Sequence, residues 1–178
     1  MSESCERRAV TGPQAWALVM LRCAIGWHFA YEGWVKIGQG DWTAAGYLTG
    51  ATGPLAGYFQ ALAADPAALR VVDQLNQWGL LAVGIGLILG LFTRLCSLGA
   101  MAMLALYYLA NPPWVGVPFT AGEGSYLIVN KNLIEFFALL ALMTFDTGGL
   151  AGIDVWIRHL MRRDGGTLPE PAGAARTY

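Results

Sequence analysis

"WGLLAVGIGLILGLFTRLCSLGAMAMLALYYLANPP", residues 78–113, decides the fold. It holds two apolar runs separated by Thr93 and Arg94 alone, and Asn111-Pro112-Pro113 ends the second run. A helix needs about 20 mostly apolar residues to cross a bilayer core. The stretch therefore predicts two spans, Val71–Phe92 and Leu95–Ala110, folded back on each other as a tight antiparallel hairpin. Two further runs of similar length flank it, Gln14–Ile37 before and Leu127–Phe145 after. The expected fold is all-α, an integral membrane four-helix bundle.

Composition agrees. Of 178 residues, 56% are hydrophobic and 13% charged, against about 25% charged in a soluble domain. The net charge of −1 gives no general attraction to nucleic acid. The cysteines Cys5, Cys23 and Cys96 form no CxxC pair and no metal-ligand spacing, which disfavours dithiol chemistry and a metal centre. The two histidines, His28 and His159, fall on opposite sides of the expected bundle and exclude a two-histidine haem site. The first apolar run is too long for a cleaved leader and lacks a small-residue cleavage site, so it reads as a retained span. "GIGLILG" (84–90) lies mid-span with no strand before it and is not a phosphate loop. Ala82, Gly86 and Gly90 form a small-residue ladder in span two, with Gly79 and Gly84 as further notches for close helix packing.

Arginine placement orients the spans. Arg7, Arg8, Arg94, Arg158, Arg162, Arg163 and Arg176 share one side, and loops 38–70 and 111–126 on the other side hold only Arg70. The positive-inside rule then puts both termini in the cytoplasm. Trp34, Trp42, Tyr47, Tyr58, Phe59, Trp78, Trp114 and Tyr126 cluster toward the outer interface as an aromatic belt. After the bundle, "IDVWIRHLMRR" (153–163) puts Ile153, Trp156, Ile157, Leu160 and Met161 on one face, predicting an amphipathic helix on the inner surface. The expected organisation is a cytoplasmic segment 1–13, the membrane domain 14–145, the surface helix within 146–163 and a disordered Gly/Pro/Ala-rich tail 164–178.

Ionisable residues inside the spans are the functional signal. His28, Glu32 and Lys36 follow one another at four-residue spacing in span one, and Lys131 and Glu135 repeat the interval in span four. These are the only two lysines. Because the spans run antiparallel, both lysines fall at the outer boundary and both glutamates one turn, about 6 Å, deeper. Arg22, His28, Glu32 and Lys36 share an arc of about 120° on a helix of 100° per residue. Asn76, Asn130 and Asn132 add polar groups at similar depth. A charge at the bilayer centre costs about 2.5–3.5 kcal/mol even on insertion scales, so these nine residues form a candidate ligand, quinone or proton-handling site. Structural pairing, as Glu32–Lys36 and Lys131–Glu135 or crossed between helices, is the competing reading, since buried ion pairs can fix helix register.

The order "GWHFAYEGWVKI", "WGLLAVGIGLILGLFTR", "GAMAMLALYYLANPPW" and "EGSYLIVNKNLIEFFALLAL" over roughly residues 14–145 resembles the DoxX family of small four-helix bacterial and archaeal membrane proteins. The resemblance implies a bacterial inner-membrane protein with a quinone- or redox-linked role beside quinol oxidase or thiosulfate:quinone oxidoreductase subunits. It puts Arg22, Glu32, Lys36, Asn130, Lys131, Asn132 and Glu135 at the family's polar positions. No flavin, iron–sulfur or haem motif is present, so any electron transfer requires a partner subunit carrying the redox centre. The implied cofactor is a quinone and the implied partners are membrane lipid and protein subunits. The chain alone is not expected to be an enzyme. A small proton-coupled transporter and a purely structural assembly protein remain alternatives.

Overall fold

A computed structural model describes residues 12–113, 128–145, 147–149 and 151–164. Their elements are all helical: α1 (Gly12–Gly38), α2 (Ala45–Thr49), α3 (Ala56–Ala64), α4 (Pro66–Leu89), α5 (Thr93–Ala110), α6 (Lys131–Thr144), a 3-10 turn at Thr147–Gly149, and α7 (Ile153–Asp164). The arginines at 7 and 8, Trp114, Tyr126 and the tail beyond Asp164 lie outside the described residues, as do the side chains of Ile157, Arg158 and Met161–Asp164.

The helix ends differ from the expected spans, each for a local reason. Helix α4 starts five residues before Val71 because Asp65 caps it, accepting from the Ala67 N–H at 2.9 Å, and Pro66 supplies a preset first position. It ends at Leu89 because Gly90 takes a left-handed φ of 64°. The hairpin turn is therefore Gly90–Phe92, and Thr93 already belongs to α5. Helix α6 starts at Lys131, not Leu127, because the Asn130 side chain accepts from the Leu133 N–H at 3.1 Å. The 38–70 loop folds into two short helices. By length and apolarity, two helices qualify to cross a membrane, α4 and α5. Polar residues dilute α1, and α6 has 14 residues, about 21 Å of helix.

Helix α1 packs on α4, α4 on α5, α5 on α6 and α6 sparsely on α1, closing a ring. Ile25, Phe29, Leu80, Leu87, Ala100, Leu104, Leu139 and Leu142 fill its centre. The α1–α4 seam is tightest. A Cβ on Gly84 would lie 2.2 Å from the Ala30 nitrogen, and one on Gly33 2.5 Å from the Leu81 nitrogen. The expected ladder Ala82–Gly86–Gly90 does not act as one ridge. Ala82 is exposed, Gly86 faces the Cys96 sulfur, and Gly90 makes the turn. Gly84, Gly26 and Gly33 make the close approach instead.

Each end of the ring is closed by polar bonds. At one end, called outer after its place in the expected orientation, α2 and α3 form a cap around Ala44, Leu48, Ala51, Phe59 and Ala110; the opposite end is called inner. Asp73 accepts from the Ala44 N–H at 2.7 Å, and the Thr52 and Gly53 N–H groups donate to the Ala110 carbonyl. At the inner end Asp154 reaches from α7 to cap α5. Its carboxylate accepts from the backbone N–H of Phe92 at 2.8 Å and Thr93 at 2.9 Å, and from the Thr93 hydroxyl at 3.0 Å. These are donors that α5 leaves open, because Phe92 at its N-cap offers no side-chain acceptor.

Two outcomes are expected. Gly84→Leu forces α1 and α4 apart and lowers stability by about 1–3 kcal/mol or more. Gly79→Ala, whose added carbon meets only Met103 at 3.8 Å, leaves it near wild type, and thermal unfolding in one detergent compares the two. Asp154→Ala uncaps α5 and costs about 1–2 kcal/mol, measured the same way. An unchanged midpoint would show that water replaces the cap.

Candidate functional site

The glycine seam fixes how α1 is rotated. At about 100° per residue, Gly26 and Gly33 share a direction and face α4. Arg22, Phe29, Ile25 and Lys36 follow on the inward side. Glu32 and His28 come next, about 120–160° from the glycines, and so turn toward α6. Trp16, Met20, Trp27, Tyr31 and Trp34 occupy the remaining arc and are exposed.

His28 and Glu135 meet across the α1–α6 seam, with Nδ1 2.9 Å from Oε1. With Glu135 ionised, Nδ1 carries the proton and donates it, which leaves Nε2 as an acceptor. On α1 itself the Lys36 ammonium pairs with the Glu32 carboxylate. Lys36 Nζ also stands 5.4 Å from the centre of the Trp42 ring, a cation–π contact with the outer cap. Helix α5 contributes Tyr107, whose hydroxyl donates to Asn76 Oδ1 on α4. Asn76 Nδ2 in turn donates to the Val72 carbonyl at 3.2 Å. Tyr107 and Lys131 both lie close enough to Glu32 for electrostatic interaction. Helices α1, α4, α5 and α6 thus all send polar groups to the outer half of the ring.

Seven of the nine residues singled out by sequence belong to this region: His28, Glu32, Lys36, Asn76, Lys131, Asn132 and Glu135. Lys131 is the first, exposed residue of α6, and Asn132 beside it is half buried. The other two serve local structure. Asn130 is 3% exposed and caps α6. Arg22 lies 14 residues from Lys36, about 21 Å along the helix. It is 2% exposed, and its Nη1 donates to the Thr147 carbonyl at 2.9 Å and the Ala151 carbonyl at 2.7 Å. It clasps α1 to the chain entering α7. Of the paired readings, Glu32–Lys36 forms within α1, while Glu135 reaches across to histidine.

Sequence reasoning missed Tyr107, for which a phenol one turn before the Asn-Pro-Pro breaker was the available signal. Trp42 was expected among the outer aromatics of the 38–70 loop, but its pairing with Lys36 was not, because that depends on how the cap folds back. Asp73, Gln77 and Asn111 tie down that cap rather than enter the site. Gln77 donates to the Trp42 carbonyl at 3.4 Å and Asn111 to the Tyr47 carbonyl at 3.3 Å. No group of three metal-ligating side chains occurs among the described residues.

A family model described as DoxX matches residues 17–111. The match runs from α1 to the end of α5, so it includes Arg22 through Tyr107 and ends before Lys131, Asn132 and Glu135. No curated protein and no solved structure matches the chain.

A double-mutant cycle on His28→Ala and Glu135→Ala is expected to give a coupling of about 0.5–3 kcal/mol in unfolding free energy. A cycle that closes to zero would mean that the two side chains act independently.

Proposed function

The chain belongs to the DoxX family, and from that premise we propose that it is an integral membrane subunit of a redox complex. In this reading, the polar cluster in its outer half holds the head group of a quinone or lipid. Membership in the family makes it a membrane protein. The finer reading is that all four long helices are embedded as a bundle in a bacterial inner membrane, with both termini cytoplasmic. Exposed apolar side chains on every one of them support this. They include Trp16, Trp27 and Trp34 on α1, Leu75, Trp78 and Ile85 on α4, Leu95, Leu98 and Leu106 on α5, and Ile134, Phe137 and Leu140 on α6. In water such a surface would be an aggregation liability. In lipid it lets α1 and α6 cross despite their polar residues, with those residues turned inward or toward the α1–α6 seam.

The observation that carries the site reading is convergence. His28, Glu32, Lys36, Asn76, Tyr107 and Glu135 come from four helices to one region of a protein whose exterior is apolar. Intramembrane ionisable groups are costly and mark pathways or ligand sites. A quinone head offers two carbonyl acceptors, which suit the Lys36 ammonium and the Tyr107 hydroxyl. The described chain offers no group that itself accepts electrons, so the redox centre belongs to a partner subunit. Helix α7, with Val155, Trp156 and Leu160 exposed and three arginines in its sequence, lies on the inner surface in this arrangement.

Isolation in mild detergent, followed by mass spectrometry of co-purifying subunits and solvent extraction of bound quinone and lipid, tests the proposal. The wild type is expected to retain both a redox partner and a bound amphiphile. A Glu32→Gln/Lys36→Met variant of normal yield is expected to lose the amphiphile. A protein that purifies alone and empty would count decisively against the reading. The His28–Glu135 contact favours proton-coupled transport as the second reading. Liposomes carrying a pH-sensitive dye separate the two, because flux abolished by Glu135→Gln belongs only to a carrier.

A further inference from the structure

We propose that the α1–α6 seam is a lateral entrance from the bilayer to the polar cluster, and that its ligand is a membrane-dissolved amphiphile with a small hydrogen-bonding head. This rests on the reading of the cluster as a binding site. Among the described residues the other three seams of the ring are closed. Backbones touch along α1–α4 through Gly26, Gly33 and Gly84. The α4–α5 hairpin is tied by its three-residue turn and by Gly86 against Cys96. Helices α5 and α6 pack broadly, and the α2–α3 cap with its own apolar core covers the outer end of α4 and α5. The α1–α6 contact is the sparsest around the ring. His28–Glu135 bridges the outer half, and Arg22 reaches the 3-10 turn region at the inner end.

The seam also shows polar atoms to its surroundings. The side chain of Glu32 is 44% exposed, that of His28 29% and that of Glu135 15%. Glu32 stands six residues and His28 ten residues before the outer end of α1, about 9 and 15 Å in depth. At that depth a half-exposed carboxylate facing hydrocarbon is expensive. A head group that both donates and accepts hydrogen bonds relieves the cost, while its tail remains among the lipid chains beside Tyr31 and Trp27. The shared chemistry fits a hydroquinone head or a phospholipid head.

Carbodiimides, which attach to protonated carboxyl groups, test the entrance. The full-length protein in phosphatidylcholine nanodiscs is treated with dicyclohexylcarbodiimide, which dissolves in lipid, or with a water-soluble carbodiimide, and adducts are mapped by peptide mass spectrometry. Glu135 is expected to react about tenfold or more faster with the lipid-soluble reagent, whose apolar rings partition into the bilayer. His28→Leu, which frees the carboxylate from its partner, is expected to speed the reaction further. Equal rates from both phases overturn the proposal. So does an absence of adduct in both the wild type and His28→Leu. Addition of a decyl-tailed benzoquinol that slows labelling at least twofold, about 0.4 kcal/mol of protection, identifies the quinol head. Slowing on replacement of phosphatidylcholine by phosphatidylethanolamine identifies a lipid head. If neither slows it while the phase preference holds, the entrance stands and the binding-site reading above fails.

Discussion

The contact of two helix backbones at Gly26, Gly33 and Gly84 sets everything else on α1. Without Cβ atoms at these positions α1 can lie against α4 with its own backbone as the contact surface. That contact permits one rotation of α1 only. The rotation sends Phe29 and Ile25 to the core, the tryptophans outward and the ionisable residues to the arc between. The polar side chains do not need to find one another. They are aimed by the glycines, several of them a full turn or more away.

Charge on the mostly apolar helix α1 is tolerable because each group is given an immediate neighbour. Lys36 has Glu32 below it and the Trp42 ring beside it. Arg22, buried at the other end of α1, has the backbone carbonyls of Thr147 and Ala151. Its buried Nε has no partner among the described atoms, so the clasp is effective but incompletely satisfied. The two ends differ in kind. The inner end is held by one arginine and one aspartate acting on backbone groups. At the outer end the cap is likewise tied to backbone groups, but beneath it His28–Glu135, Glu32–Lys36 and Tyr107–Asn76 are side chains acting on one another.

Much of the helical layout was legible in the sequence, because apolar length and the Asn-Pro-Pro breaker are local signals. The hairpin, the four long helices and the DoxX resemblance all followed from them. The helix ends were less legible. Asp65 read as part of the 38–70 loop and Asn130 as a polar residue of the candidate site, whereas their side chains cap the next turn. The cap of α5 was out of reach altogether, because Asp154 is 61 residues from Thr93. Spacing placed His28, Glu32, Lys36 and Glu135 near one another correctly, since helical periodicity and antiparallel order suffice for that. The Glu32–Lys36 pair followed too, but the partner of Glu135 did not, because the rotation of α6 about its axis decides whether it meets Lys131 or His28. The division of the glycines between packing and turning was equally hidden, as each depends on which neighbour lies opposite.

The cap supplied by Asp154 has a consequence for biogenesis. The ribosome completes the α4–α5 hairpin some sixty residues before it makes the aspartate that accepts from Phe92 and Thr93. Until then the start of α5 must be hydrated, so the hairpin turn stays at the aqueous surface while the later helices are added. The arrival of α7 lets that turn shed water and draws Gly90 against Gly152. Assembly of this end is thereby tied to synthesis of α7, and a nascent protein broken off before residue 154 carries an unfinished hairpin that quality control can distinguish from the finished one.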